Sequence, residues 1–153
     1  MADKKIGKGF LSDKRVGTLG ENYFAKKYAK RISKIKKSLK FDFYVDGDKK
    51  VELKTDTYPL SETENFFFEK IANDKTYSLG GPWRAKQDRV DYFVYFFLSD
   101  EVFYWFKTNE LCARIEKIIK DCRKISILNK NHRTVGFLVK RELLKDIYVK
   151  EKM

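Results

Sequence analysis

The sequence predicts an α/β fold in which a mixed central β-sheet is flanked by α-helices. Three observations carry that expectation. Helical periodicity frames the chain at 18–36 and 108–121, strand-like runs fill the interval, and the run Tyr92-Phe93-Val94-Tyr95-Phe96-Phe97 is apolar throughout. Such a run marks a central strand buried on both faces. At 153 residues the chain has the length of one domain, 1–153, with a core of normal size.

Residues 1–17 are polar and basic and read as a flexible segment. A helix is expected from Thr18, as N-cap, to about Lys36. Phe41 to Val45 and Lys49 to Tyr58 read as a hairpin turned at Asp46-Gly47-Asp48. A third strand is expected at Asn65 to Ile71, and a helical turn at Trp83 to Arg89 after the Gly80-Gly81-Pro82 break. Val90 to Leu98 and Glu101 to Phe106 read as aromatic-rich strands. A helix from Thr108, again as cap, to about Asp121 carries Leu111, Ile115, Ile118 and Ile119 on one face. Short strands at Lys124 to Leu128 and Thr134 to Val139 and a helical stretch near Arg141 to Asp146 complete the chain. His132 falls in a basic turn.

Composition excludes several chemistries. One histidine, His132, is too few for paired-histidine nucleases, His-rich zinc sites or HNH-type sites. Two cysteines, Cys112 and Cys122, make no disulfide framework, and a cytoplasmic setting is expected. No apolar run approaches the roughly 20 residues of a membrane span, and the start, Met1-Ala2-Asp3-Lys4-Lys5, lacks the apolar stretch of a secretory signal. The net charge is +12, which suits a polyanionic partner. Its distribution is uneven: residues 1–40 carry a net +10, residues 41–110 a net −5 and residues 111–153 a net +7. An acidic middle between basic ends suits a nucleic-acid enzyme whose carboxylates hold a metal while lysines hold the backbone; it also suits charges that merely solvate different faces.

The chemistry concentrates in Phe41-Asp42-Phe43-Tyr44-Val45 and Lys49-Lys50-Val51-Glu52-Leu53-Lys54-Thr55-Asp56. Along the second strand Glu52, Lys54 and Asp56 share one face. A three-residue loop places Val45 opposite Lys49 and hence Asp42 opposite Glu52, on that same face; a two-residue loop would send Asp42 to the other. Two carboxylates and the Leu53 carbonyl form an all-oxygen set suited to Mg²⁺ or Mn²⁺. Lys54 would orient or deprotonate an attacking water.

Glu21 lies on the apolar stripe of the first helix with Phe24, Ala25, Tyr28, Ile32 and Ile35, whereas Lys26, Lys27, Lys30, Lys34 and Lys37 lie on the opposite face and form a candidate nucleic-acid-binding surface. Two readings of Glu21 stand side by side: a further carboxylate of the metal site, or the return partner of a capping box in Thr18-Leu19-Gly20-Glu21.

An acidic residue on a helix, then Asp42, nine residues, and Glu52-Leu53-Lys54 resembles the PD-(D/E)XK nuclease superfamily. The order is similar to that of phage-type Holliday-junction resolvases. Asn65-Phe66-Phe67-Phe68-Glu69, Gly81-Pro82-Trp83-Arg84-Ala85 and Asp91-Tyr92-Phe93-Val94-Tyr95 also resemble small virus- or phage-encoded members. The resemblance covers roughly residues 18–106 and departs from the family name at Phe41, where that name has proline.

It implies a restriction-endonuclease-like core and a Mg²⁺-dependent DNA endonuclease acting on branched or duplex DNA in the cytoplasm, including that of a virus-infected host cell, with a homodimer as one arrangement. Asp42 and Glu52 would be metal ligands, Lys54 the catalytic lysine and Glu21 the additional helix carboxylate. Glu69 and Gln87 receive no role. The rival from another class is a catalytically silent basic nucleic-acid-binding module, in which exposed aromatics such as Trp83 and Trp105 would do the binding.

Overall fold

In the computed structural model, residues 13–35 and 40–153 are described. Among them ten strands form two sheets with three α-helices. The chain runs α1 (Asp13–Lys27), β1 (Ile32–Ile35), β2 (Phe43–Val45), β3 (Lys49–Asp56), β4 (Asn65–Asn73), β5 (Ser78–Leu79), α2 (Gly81–Gln87), β6 (Tyr92–Phe97), β7 (Val102–Lys107), α3 (Thr108–Ile118), β8 (Arg123–Asn129), β9 (His132–Lys140) and β10 (Tyr148–Lys152).

The larger sheet is mixed, as expected, in the order β1-β2-β3-β6-β7-β10. β3 and β6 pair in parallel, Glu52 beside Phe93 and Lys54 beside Tyr95. The remaining pairs are antiparallel. β6 is buried from Phe93 to Phe97, and its side chains divide between the two faces. Val94 and Phe96 pack with Val51, Phe103 and Trp105 under Phe24 of α1 and Tyr28 just after it. Phe93, Tyr95 and Phe97 pack with Tyr104 and Phe106 under the second sheet, α2 and α3. Helices thus cover both faces of the mixed sheet.

The second sheet, β5-β4-β9-β8, is antiparallel with respect to every pair. The expected strands at 65–71, 124–128 and 134–139 belong to it and not to the central sheet. Phe66 and Phe68 of β4 stack edge-on against Tyr95 and Phe106 and join the two sheets in one apolar cluster.

The first helix departs most from expectation. It begins five residues before Thr18, so residues 13–17 are helical and not a loose tail, and residues 1–12 lie outside the described residues. Thr18 does not cap the helix: its hydroxyl donates to the Lys14 carbonyl one turn back (3.0 Å). The helix ends at Lys27, and Ile32 and Ile35 belong to β1. Three charged residues, Asp13, Lys14 and Arg15, form the first turn, which therefore carries no apolar period. At the other end the β-branched Ile32 and Ile35 favour strand over helix. Thr108 is likewise no cap: Lys107 is the N-cap of α3, and the buried Thr108 hydroxyl has no partner among the described residues.

Candidate active site

The hairpin turn fixes the site. Asp46 and Gly47 take φ of 51° and 94°, the left-handed region where Asp and Gly are at home. Arg31 donates to both Asp46 oxygens (3.1 and 2.8 Å), and the Asp46 amide donates to the Arg31 carbonyl (2.9 Å), which anchors the turn to the start of β1. Val45 pairs with Lys49, Tyr44 with Lys50 and Phe43 with Val51, the three-residue-loop register. Just before β2 the ladder is bulged: the Asp42 amide donates to the carbonyl of Val51 (2.9 Å), the residue that Phe43 already pairs with. Asp42 therefore does not take the place opposite Glu52 that an unbroken register would give it.

Asp42 also reaches across with its side chain: its Oδ2 accepts the Leu53 amide hydrogen at 2.9 Å. β2 has ended there, so the Asp42 carboxylate takes the place of a strand partner. Leu53 presents its carbonyl to the same edge of β3 as its amide. Asp42, Glu52 and the Leu53 carbonyl thus gather where β2 stops.

Glu52 is partly buried, and its carboxyl is pushed up to about 8, first by burial and then by the Asp42 charge; Asp88 and Glu21 push the same way and Arg84 opposes them. Glu21, partly buried on α1, therefore adds to the negative field at Glu52. It forms no capping box, because the helix starts well before Thr18. The preceding Gly20 is buried, and its backbone lies so close to Thr55 that any Cβ would meet the Thr55 hydroxyl. That approach lays the middle of α1 against β3.

A cavity of about 220 Å³ opens beside these residues. Glu52, Leu53 and Lys54 of β3 form its floor with Phe93 of β6. Glu69 of β4 lines one wall, Gly80, Gly81 and Arg84 at the start of α2 line another, and Lys40 stands at the cavity as a further cation. Among the described residues Lys54 has no ion-pair partner within 4 Å. Asp56, the third charged residue on the Glu52 face, is engaged elsewhere: its carboxylate accepts the Tyr95 hydroxyl and the Tyr58 amide (2.8 Å).

Oxygen donors of this kind suit a hard divalent cation, and such an ion would offset the Asp42, Asp88 and Glu21 charges that add to burial in raising Glu52. Among the described residues no group of three histidine, cysteine, aspartate or glutamate side chains is arranged to hold an ion. Two carboxylates and a backbone carbonyl would supply the protein oxygens.

The basic surface expected on one helix face is spread over several elements. Lys26 is exposed on α1, Lys30 in the following turn and Lys34 on β1, while Lys37 lies outside the described residues. Lys27 is tied down, its ammonium donating to the Lys152 carbonyl (2.8 Å). The aromatics of the rival reading are not exposed: Trp83 and Trp105 are 9% and 6% accessible. Their indole N–H groups donate inward, to Glu116 (2.7 Å) and to the Tyr28 hydroxyl (2.8 Å). Neither offers a ring to a nucleotide base.

Sequence reasoning left Glu69 without a role and passed over Lys40 and Arg84. Glu69 and Arg84 meet the Glu52–Lys54 face through the packing of β4 and α2, which no local spacing encodes, and Lys40 meets it from the segment that leads into β2. Cys112 is buried with its thiol pushed up to about 11 by burial, so it is no nucleophile. Among the described residues no helix is long and apolar enough to cross a membrane. Compared with family models, with curated proteins and with solved structures, the chain matches none.

Proposed function

We propose that the protein is a metal-dependent endonuclease that hydrolyses phosphodiester bonds of DNA, in keeping with the PD-(D/E)XK resemblance of its sequence. The observation that carries this reading is the convergence of Asp42 and Glu52 at the end of β2, with Lys54 on the same strand face and a cavity beside them. A carboxyl raised to about 8 by burial and then by a neighbouring carboxylate is a mark of a functional site. Asp42, Glu52 and the Leu53 carbonyl would hold Mg²⁺ or Mn²⁺, with Glu21 adding its charge from α1. Once bound, such an ion acidifies water and neutralises charge on a phosphoryl oxygen.

Lys54 carries N–H donors into the cavity two residues along the strand from Glu52. It orients the attacking water for in-line approach and shields the phosphate charge from Glu52. The exposed lysines 26, 30 and 34 would hold backbone phosphates without reading bases. Branched DNA, a homodimer that cuts two strands, and action in the cytoplasm of a virus-infected cell belong to the same proposal.

The test is a cleavage assay on a four-way junction, duplex and single-stranded DNA with Mg²⁺, Mn²⁺ or EDTA, running Glu52→Gln and Lys54→Ala beside wild type. Cutting that needs the metal and is lost in both variants, with DNA binding retained, is the expected result. Binding without cutting on every substrate would overturn it in favour of the silent module, and cutting that survives Glu52→Gln would move the chemistry elsewhere.

A further inference from the structure

The cavity is bounded by β3 on one side and by the start of α2 on the other, and α2 is held there by two glycines. Gly81 has φ of 47°, and a Cβ on it would lie 2.5 Å from the Glu69 carbonyl oxygen. A Cβ on Gly80 would lie 2.7 Å from the Glu69 carboxylate. At Gly81 a side chain would collide with the β4 backbone, whereas at Gly80 it would have to displace the Glu69 side chain. One turn on, the Arg84 amide donates to the Gly80 carbonyl (3.1 Å), so the Arg84 side chain departs from the turn that the glycines pin.

Arg84 lines the same cavity as Glu52 and Lys54. Its charge opposes the carboxylates at Glu52. Asp88, one turn later, lies 3.5 Å from its Nε, and the Arg84 side chain is 45% accessible. A ligand entering from solvent can therefore reach the guanidinium.

We propose that Arg84 is a further catalytic residue of this site, one whose guanidinium meets the non-bridging oxygens of the scissile phosphate from the α2 side while Lys54 faces that phosphate from β3. The assignment rests on the nuclease reading above. Hydrolysis forms a bond from water oxygen to phosphorus and breaks the ester P–O bond, whose electron pair leaves with the departing oxygen; the water proton ends on that oxygen. Arg84 stays protonated throughout. Its part is electrostatic: charge grows on the phosphoryl oxygens in the transition state, and a preorganised cation there lowers the barrier. The planar fork matches two phosphate oxygens at once, which a lysine ammonium cannot do.

The experiment compares wild type, Arg84→Lys, Arg84→Ala and Lys86→Ala on the best-cut DNA with Mg²⁺, reading kcat, KM, DNA affinity and thermal midpoint. Lys86 is an exposed cation on the same helix outside the cavity. Both Arg84 variants should lose kcat by about 100-fold or more, the usual effect of deleting one preorganised donor, with KM and midpoint close to wild type. Lys86→Ala should cut within twofold of wild type. Cutting by Arg84→Ala within threefold of wild type overturns the assignment. So does a rise in KM at unchanged kcat, which would make Arg84 a mere grip on substrate, and so does full activity in Arg84→Lys. Should Glu52→Gln and Lys54→Ala abolish cutting while Arg84→Ala does not, the nuclease reading stands and this assignment alone fails. If wild type cuts nothing with either metal, both fail together.

Discussion

The Leu53 amide donates to Asp42 Oδ2 at 2.9 Å, so the carboxylate that precedes β2 is fastened to the strand that carries Glu52. This bond holds two acidic groups close enough for each to feel the other's charge. Asp42→Asn keeps an oxygen for the Leu53 amide and removes the charge. The Glu52 carboxyl, now at about 8, should fall by about one unit. Carboxyl ¹³C chemical shifts followed through a pH titration in EDTA measure it directly, and an unmoved Glu52 would mean that burial alone sets its value.

Glu52 also makes stability depend on pH. Its folded value, about 8, exceeds the ordinary 4.5, so the folded state binds the extra proton between those limits. The stability it confers is complete below 4.5, declines as pH rises, and is lost above 8. Glu52→Gln should remove that decline and, at pH 9 without metal, raise the thermal midpoint by roughly 3–8 °C. Millimolar Mg²⁺ should raise the wild-type midpoint at the same pH and leave that of Glu52→Gln unchanged. Melting curves at pH 5, 7 and 9 with and without Mg²⁺ test both statements.

Trp83 is buried and bound to Glu116, which predicts a structural role. Trp83→Phe should cost about 1 kcal/mol through loss of the indole hydrogen bond and leave DNA affinity within twofold. Fluorescence anisotropy with labelled duplex reads the affinity, and urea unfolding reads the stability. A large loss of affinity in a folded variant would revive base stacking.

Tyr95 is fully buried, and its hydroxyl donates to Asp56 and accepts from the Phe67 amide (3.0 Å). Burial and the Asp56 charge hold the phenol well above its ordinary titration range. Tyr95→Phe leaves the Phe67 amide and one Asp56 oxygen, both partly buried, without that bond, at a cost of about 1–3 kcal/mol. Urea unfolding should show a lower midpoint at unchanged slope.

The hairpin register, with Val45 opposite Lys49, was legible in the sequence because the turn residues Asp46-Gly47-Asp48 specify a loop length, and loop length sets register; the bulge that places Asp42 against Val51 has no such local signal. β6 was legible because a run without polar residues has no stable place except between two covered faces. α1 was misplaced for two reasons. Its first turn is charged, and the apolar positions that follow its end, Ile32 and Ile35, continue its helical phase although they lie on a strand. β5 and β10 escaped notice: β5 has two residues, and β10, Tyr-Val-Lys-Glu-Lys, carries little apolar signal. Glu69 and Arg84 were invisible as site residues because they reach Glu52 only through the packing of β4 and α2. No spacing within the chain measures that approach.

The parallel pairing of β3 with β6 has a consequence for how the cavity arises during synthesis. Glu52 and its neighbour Phe93 are joined only after the whole intervening segment, β4, β5 and α2 included, has been laid down and folded back. Such distant pairings pay their loop entropy before they are rewarded and form slowly. Walls drawn from residues 52–54, 69, 80–84 and 93 cannot enclose a cavity in a chain still emerging from the ribosome. A nascent chain therefore carries the acidic residues but no enclosed cavity, and the cavity should form late, with completion of the central sheet.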